Sequence, residues 1–248
     1  MRQETYSQDK RGLSVPVAII IAGILIAGAV YFSSSKNSGT TSATNSGNQQ
    51  KQTQQNGQPS AQAVDISNVK IDEHPFIGNP NAPVTVAYWS DYQCPFCRKT
   101  EEEVIPQLIN DYIKTGKVKL VYKDFQFLGA DSQTAGLAEH AVWEVAPDKF
   151  YQWHKAMYDN QDGENSGWGS KADILALTKS LGIDSTKVDQ LMTSKANEYQ
   201  QAMDADKSEG GSFGVSGTPS YIVGKQLVVG AQPYLVVKAA VDQALNNK

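Results

Sequence analysis

Cys94 and Cys97 are the only cysteines in a chain of 248 residues, and they stand as Cys94-Pro95-Phe96-Cys97. The stretch before them, Val84 to Ser90 (VTVAYWS), is rich in β-formers and reads as a buried strand. After them Val104, Ile105, Leu108, Ile109, Tyr112 and Ile113 repeat at helical spacing. The pair therefore falls where a strand gives way to the first turn of a helix. Pro95 suits the first helical position, where no amide donor is needed. Cys94 is then placed at the helix N-terminus, where unpaired amides and the helix dipole favour a thiolate. A lowered thiol pKa makes a nucleophile at neutral pH and a good leaving group. Cys97 lies one turn on, so the two sulfurs can close a bond. This reading assigns Cys94 as the exposed, attacking thiol and Cys97 as the buried, resolving thiol.

Other uses of two cysteines need comparison. Half of a metal site is one, but there is no second CxxC. His74, His140 and His154 are widely spread and show no paired spacing. Asp124, Asp131, Asp162 and Glu164 could meet a cation in loops, yet no spacing rule selects them, so no metal is expected. A static structural disulfide is another use, but across two intervening residues it would be strained and close a tiny loop. Lysine and arginine total 22 against 26 acidic residues, a net charge of −4, which lacks the basic excess of a nucleic-acid binder.

The elements that must position the pair follow from periodicity. Ile66 to Ile71 alternates as a short strand. Pro106 should kink the helix after the cysteines, and Val118 to Tyr122 (VKLVY) makes the next strand. Strand, helix and strand within that length form a βαβ unit with parallel strands and a right-handed crossover. Helical segments follow at 135–145, 149–159, 171–181 and 187–207. Asp184 is a candidate cap for the last, whose inner face carries Val188, Leu191, Met192, Lys195, Tyr199 and Met203. Residues 219–223 and 226–229 flank Gly224-Lys225 as a hairpin, and Pro233 opens a closing helix. The predicted order is a strand, a βαβ unit, a helical block over about 128–212, and a ββα unit, all within 64–248. Trp143, Trp153, Trp168, His140 and His154 fall in the helical block and read as packing residues.

Ahead of this region the composition changes. Residues 1–14 carry Arg2, Lys10 and Arg11, and no charge occurs from Val15 to Phe32. As a helix the apolar run would rise about 27 Å, roughly one bilayer core, so 15–32 reads as a transmembrane anchor. The flanking basic residues place 1–14 in the cytoplasm. The competing reading is a secretory signal cleaved near Ala27-Gly28-Ala29. Either way the rest of the chain is exported. Residues 33–63 (SSSKNSGTTSATNSG and onward) hold almost nothing to bury and read as a disordered linker with a mean reach of roughly 30 Å.

WSDYQCPFC after a strand, the helical block, and GVSGTPSYIVG near the end together resemble the DsbA-like thiol-disulfide oxidoreductases of the thioredoxin superfamily. The likeness covers about Ile66 to Asn246, and its two motifs lie more than 100 residues apart. It implies an α/β thioredoxin fold with a helical insertion. It also implies that Thr218-Pro219 is a cis-proline loop facing Cys94 and pairing with substrate backbone, with Pro95 and Phe96 supporting the site. Two departures stand out. Relatives commonly carry a buried carboxylate six residues before the first cysteine, where this chain has Tyr88; proton transfer then uses water or another group, or Tyr88 is simply core. Strongly oxidising relatives often have Pro-His between the cysteines. Phe96 removes that imidazolium, so a milder depression of the Cys94 pKa is expected. Trp89, Tyr92, Phe96 and Phe213 are candidates for an apolar surface that holds unfolded clients. Strand alternation favours the core for Trp89, and Phe96 has the best claim to exposure.

The resemblance implies an oxidase of exported proteins with free thiols, with no diffusible cofactor, reoxidised by a membrane-embedded quinone-linked partner. A reductase or isomerase using the same pair is the alternative, and a non-catalytic chaperone module of the same shape is a third.

Overall fold

The structure, a computed structural model, describes residues 64–247. The expectations for 1–14, 15–32 and 33–63 lie outside the described residues. Among the described residues no helix is long and apolar enough to cross a membrane.

Five strands form one mixed sheet: β1 (Phe76–Gly78), β2 (Val84–Ser90), β3 (Val118–Asp124), β4 (Ser220–Val223) and β5 (Gln226–Val229). Their order is β1-β3-β2-β4-β5, with β2 and β3 parallel and every other neighbouring pair antiparallel. Between β2 and β3 run α1 (Pro95–Glu103) and α2 (Ile105–Leu108), the latter continuing as a π-helical turn, Ile109–Ile113. Pro106 sits in the first turn of α2, so the interruption after α1 is the helix break expected where an interior amide is missing. Between β3 and β4 lie α3 (Ala130–Val145), α4 (Phe150–Asp159), α5 (Lys171–Ser180), α6 (Ser185–Ser194) and α7 (Ala196–Ser212), and α8 (Tyr234–Asn246) closes the fold. The result is a thioredoxin-like α/β fold, a βαβ unit and a ββα unit sharing one sheet.

Alternation along β2 sorts its side chains to two faces. Val84, Val86 and Tyr88 join Ile105, Leu108, Tyr122, Tyr221, Val237 and Val241 under α2 and α8. Ala87 and Trp89 join Phe125, Phe213, Val215 and Ile222 on the opposite face, which Val64, Ile66, Val69 and Ile71 cover. A third core belongs to the helical region, with Trp153, Met157, Ile174, Val188 and Met192, and it reaches forward to include Tyr92, Cys94 and Cys97. The cysteine pair thus borders the helical core.

Two expectations are corrected. Ile66–Asn68 is a 3-10 turn, not part of a strand, because the Asp65 side chain accepts the Ser67 amide and satisfies it locally. The sheet edge is instead Phe76–Gly78, antiparallel to β3 and too short to show a period. The helix expected over 187–207 is two, α6 and α7, broken at Lys195, whose ammonium is drawn to Glu144 of α3 at 2.8 Å. The break leaves Val188, Leu191 and Met192 in the helical core while α7 packs along β3. Asp184 does cap α6, accepting from the Lys187 amide.

Candidate active site

The register of β2 against β4 sets Trp89 beside Ser220, so the chain leading to Cys94 leaves the sheet next to the residues before Ser220. The Thr218–Pro219 peptide bond is cis. The Gly230 amide donates to Pro219 O at 2.8 Å and ties this loop to the end of β5. As a thiol, Cys94 donates to Thr218 O at 3.5 Å. Cys94, Pro95, Cys97, Thr218 and Pro219 therefore meet at one place.

Cys94 is the N-cap of α1 with Pro95 in the first turn, and its carbonyl accepts the amides of Cys97 and Arg98 at 3.1 and 3.2 Å. Its pKa falls to about 6. The main cause is the Cys97 thiol, which donates to the Cys94 sulfur. Burial opposes the shift, and the Thr218 side chain with the Cys97 and Phe96 amides adds to it. Cys97 moves the other way: burial and the neighbouring Cys94 sulfur push its pKa well above that of a free thiol. The environment splits the two thiols into a ready thiolate and a reluctant one.

Exposure corrects part of the sequence reading. Cys97 is fully buried, but Cys94 is also only 4% exposed, because α1, the Thr218–Pro219 loop and the helical core close around it. Trp89, Tyr92 and Phe213 are buried as well, so they form no surface patch. Phe96 alone of the four stands out, at 61% exposed. Val229, where β5 ends beside the Pro219 loop, is also exposed, as are Phe127, Leu235 and Val236.

The sequence did not point to the residues that brace this loop. Asp91 is buried with both oxygens engaged: Oδ1 takes the Gln93 amide at 2.8 Å, and Oδ2 takes the Phe127 and Leu128 amides and the Ser132 hydroxyl at 2.9, 3.2 and 2.7 Å. The Asp91 carbonyl accepts the Cys94 amide at 3.0 Å and the Tyr158 hydroxyl at 3.2 Å. Gln161 donates from Nε2 to the carbonyls of Tyr92 and Cys94 at 2.6 and 3.1 Å, and the Asn165 amide donates to Gln93 Oε1 at 2.9 Å. Ser132, Tyr158, Gln161 and Asn165 all lie between β3 and β4, so the helical region holds the cysteine loop in place. The only local signal was an Asp three residues before Cys94, the residue type that favours such turns.

Tyr88 is buried between the rings of Tyr221, stacked at 4.9 Å, and Tyr122, edge-on at 6.0 Å. His154 packs as expected but is also bonded to Tyr92 and Glu101, and His140 pairs with Asp124 at 2.8 Å. Trp153 is buried, while Trp143 and Trp168 pack partly buried against the cores. Among the described residues no group of three or more His, Cys, Asp and Glu is placed to hold a metal ion. Asp162 spends an oxygen on the Trp168 amide, and Asp124 bonds Gln126 and His140.

A thioredoxin-like sheet carrying a cysteine pair at a helix N-terminus, opposite a cis-proline loop, defines the class of dithiol proteins that exchange disulfides. A thioredoxin family profile matches residues 70–243, and by that match the chain belongs to the thioredoxin family as a DsbA-like thiol-disulfide oxidoreductase. It is 30% identical over 172 residues to a probable disulfide bond formation protein D of Bacillus cereus, covering 68% of this chain and 77% of that one. It is 25% identical over 181 residues to disulfide bond formation protein D of Bacillus subtilis, covering 72% and 80% of the two chains. Among solved structures, oxidised BdbD of Bacillus subtilis superposes with a TM-score of 0.65 at 26% identity, over 71% of this chain and 95% of that one. The thiol-disulfide exchange protein alpha-DsbA2 of Wolbachia pipientis gives 0.61 at 29% identity, over 68% and 86%.

Proposed function

We propose that this chain is a membrane-tethered, extracytoplasmic oxidase that introduces disulfides into exported proteins through Cys94 and Cys97. The observation that carries the reading is the unequal pair: a Cys94 thiolate favoured down to about pH 6 beside a buried Cys97 whose thiol resists ionisation. A protein that stabilises its reduced pair in this way is a willing oxidant of others.

In the oxidised enzyme a client thiolate attacks Cys94 Sγ. The Cys94–Cys97 bond breaks, its electron pair passes to Cys97, and a client–Cys94 mixed disulfide forms. The client's second thiolate then attacks its own sulfur in that mixed disulfide and displaces Cys94 as the stabilised thiolate. The client leaves oxidised and the enzyme holds two electrons. Thr218 and Pro219 border Cys94 and line the place where client backbone would lie, and exposed Phe96 and Val229 offer it apolar contact. The pair is itself the electron carrier, so no diffusible cofactor is required. Reoxidation falls to a membrane-embedded, quinone-linked partner. The charge-free run from Val15 to Phe32 and the polar segment after it support a tether that keeps the domain near such a partner.

Cys97→Ala tests the reading. Without the resolving sulfur, Cys94 should hold exported clients as adducts that reductant releases, and their absence under oxidising growth would refute the proposal. The equilibrium with glutathione separates the alternatives: a potential near that of thioredoxin marks a reductase, and failure to oxidise reduced ribonuclease or to reduce insulin marks a non-catalytic module.

A further inference from the structure

Three donors converge on the carbonyl of Cys94. The amides of Cys97 and Arg98 reach it at 3.1 and 3.2 Å, as the first acceptor of a helix requires, and Gln161 Nε2 reaches it at 3.1 Å from outside α1. The same Nε2 donates to Tyr92 O at 2.6 Å, so one carboxamide sets the backbone on which Cys94 rides.

Gln161 needs holding in its turn. It is buried just past the end of α4, but the six residues after it, 162–167, are all exposed, and glycine stands at 163, 167 and 169. Backbone of that composition is costly to order and can adopt many conformations. Two hydrogen bonds fix the backbone of Gln161. Its amide donates to Tyr158 O at 3.2 Å, within the turn it has just left. Its carbonyl accepts Arg98 Nη1 at 2.7 Å, across 63 residues of sequence. The second bond is the shorter and carries a charged donor, so it is the stronger of the two. It also closes a ring: the Arg98 amide holds Cys94 O from within α1, the Arg98 guanidinium holds Gln161 O, and the Gln161 side chain returns to Cys94 O.

We infer that Arg98 is a positioning residue for disulfide exchange, fastening Gln161 so that its carboxamide keeps the Cys94 sulfur in register with the first turn of α1. This deepens the function proposed above, since it rests on Cys94 being the sulfur that clients attack. Register matters because of what stabilises the thiolate. The Cys97 thiol comes first, and the Thr218 side chain and the Cys97 and Phe96 amides add to it against the cost of burial. All of these but Thr218 belong to the start of α1, so a sulfur that slips against that turn weakens several donors together. The Arg98 charge is not among the causes. Its ion pair with Glu102, 2.8 Å long and half-exposed at both ends, adds little to stability. What Arg98 supplies is placement, delivered through Gln161.

The test uses the reduced full-length protein. Thiolate absorbance in the ultraviolet reads the Cys94 pKa over a pH series, and a glutathione titration reads the disulfide equilibrium. Arg98→Met keeps the side-chain stem and removes the donors. Gln161→Met removes the carboxamide and keeps the backbone carbonyl that Arg98 binds. Each should raise the Cys94 pKa by about one pH unit and move the glutathione equilibrium about tenfold toward the enzyme disulfide. The double variant should lie within about twofold of Gln161→Met alone, because Arg98 acts through that carboxamide. The effect of Arg98→Met should persist in about 1 M salt, where a charge effect would be screened.

Arg98→Met within about twofold of wild type in both readings would overturn the role. So would a double variant in which the two effects multiply to about a hundredfold, or a shift that disappears in salt. Native circular dichroism is the entry condition, and if Gln161→Met does not fold, Arg98→Met and its salt series decide. Should the variants move the absorbance as stated while no form exchanges with glutathione, the proposed function fails and the placement of the sulfur stands.

Discussion

Two buried polar clusters flank β3, and they are built on opposite plans. On one side Lys123 Nζ meets Asp206 at 2.5 Å, Glu209 at 3.1 Å, the His74 ring at 2.9 Å and Lys70 O at 2.8 Å. Asp206 also takes the Asp124 amide at 3.0 Å. Burial opposes the charge on Asp206, but His74 and Lys123 hold its carboxyl below the usual range. On the other side Glu101, His154 and Tyr92 form a chain without a lysine, and Glu101 Oε2 is left unbonded. The first cluster pairs opposite charges and ties the 70–74 segment to α7. The second joins a carboxyl, an imidazole and a phenol with no cation among them. A fully paired network rigidifies and specifies a shape, while one with an unbonded acceptor leaves part of its burial cost unmet.

The largest expected difference comes from cutting each cluster once. Lys123→Met should cost about 3–5 kcal/mol in urea unfolding, because buried Asp206 and part-buried Glu209 lose their cation. Disulfide exchange by the protein that remains folded should change little. Asp91→Ala should cost roughly 2–4 kcal/mol by the same measurement, since four donors lose one acceptor. It should also raise the Cys94 pKa, read from ultraviolet thiolate absorbance. His154→Phe should cost about 1–3 kcal/mol, because the buried Tyr92 hydroxyl and Glu101 Oε1 each lose a hydrogen-bond partner.

The pH dependence of the reduced protein sharpens the contrast from the thiol side. The folded pKa of Cys94 lies near 6, below the unfolded value of about 8.5. The stabilisation is therefore complete above the unfolded value and is lost as pH falls through about 6. Between the two, reduced wild type should gain roughly 1.4 kcal/mol per pH unit relative to Cys94→Ala in parallel unfolding series. The smallest effect is expected from Phe96→His, which sets an imidazole beside the thiolate and should lower the Cys94 pKa below about 6. Because Phe96 is exposed, unfolding should barely register that change.

Much of this site was legible in the order of residues, because its parts are local. VTVAYWS running into CPFC places a thiol at a helix start, and Thr218-Pro219-Ser220 ahead of a hairpin supplies the facing loop. What stayed hidden depends on contacts between distant segments. Nothing in the sequence singles out Gln161 and Asn165, and only the folded chain carries them 67 and 72 residues back to the cysteine loop. The β1 edge has three residues and no period, so its partner β3 defines it. The break at Lys195 has no glycine or proline to announce it; the pull of Glu144 is a tertiary fact. The near closure of Cys94 was equally invisible, since spacing says which sulfur caps a helix but not what leans over it.

The Gln161 clasp carries a practical lesson for anyone borrowing this chemistry. One amide group just beyond the end of α4 grips the carbonyls on both sides of residue 93. Grafting the four letters CPFC onto a bare sheet-and-helix scaffold would transplant the sulfurs and leave their harness behind. An engineered copy should keep its acidity only if that strap is moved across with it.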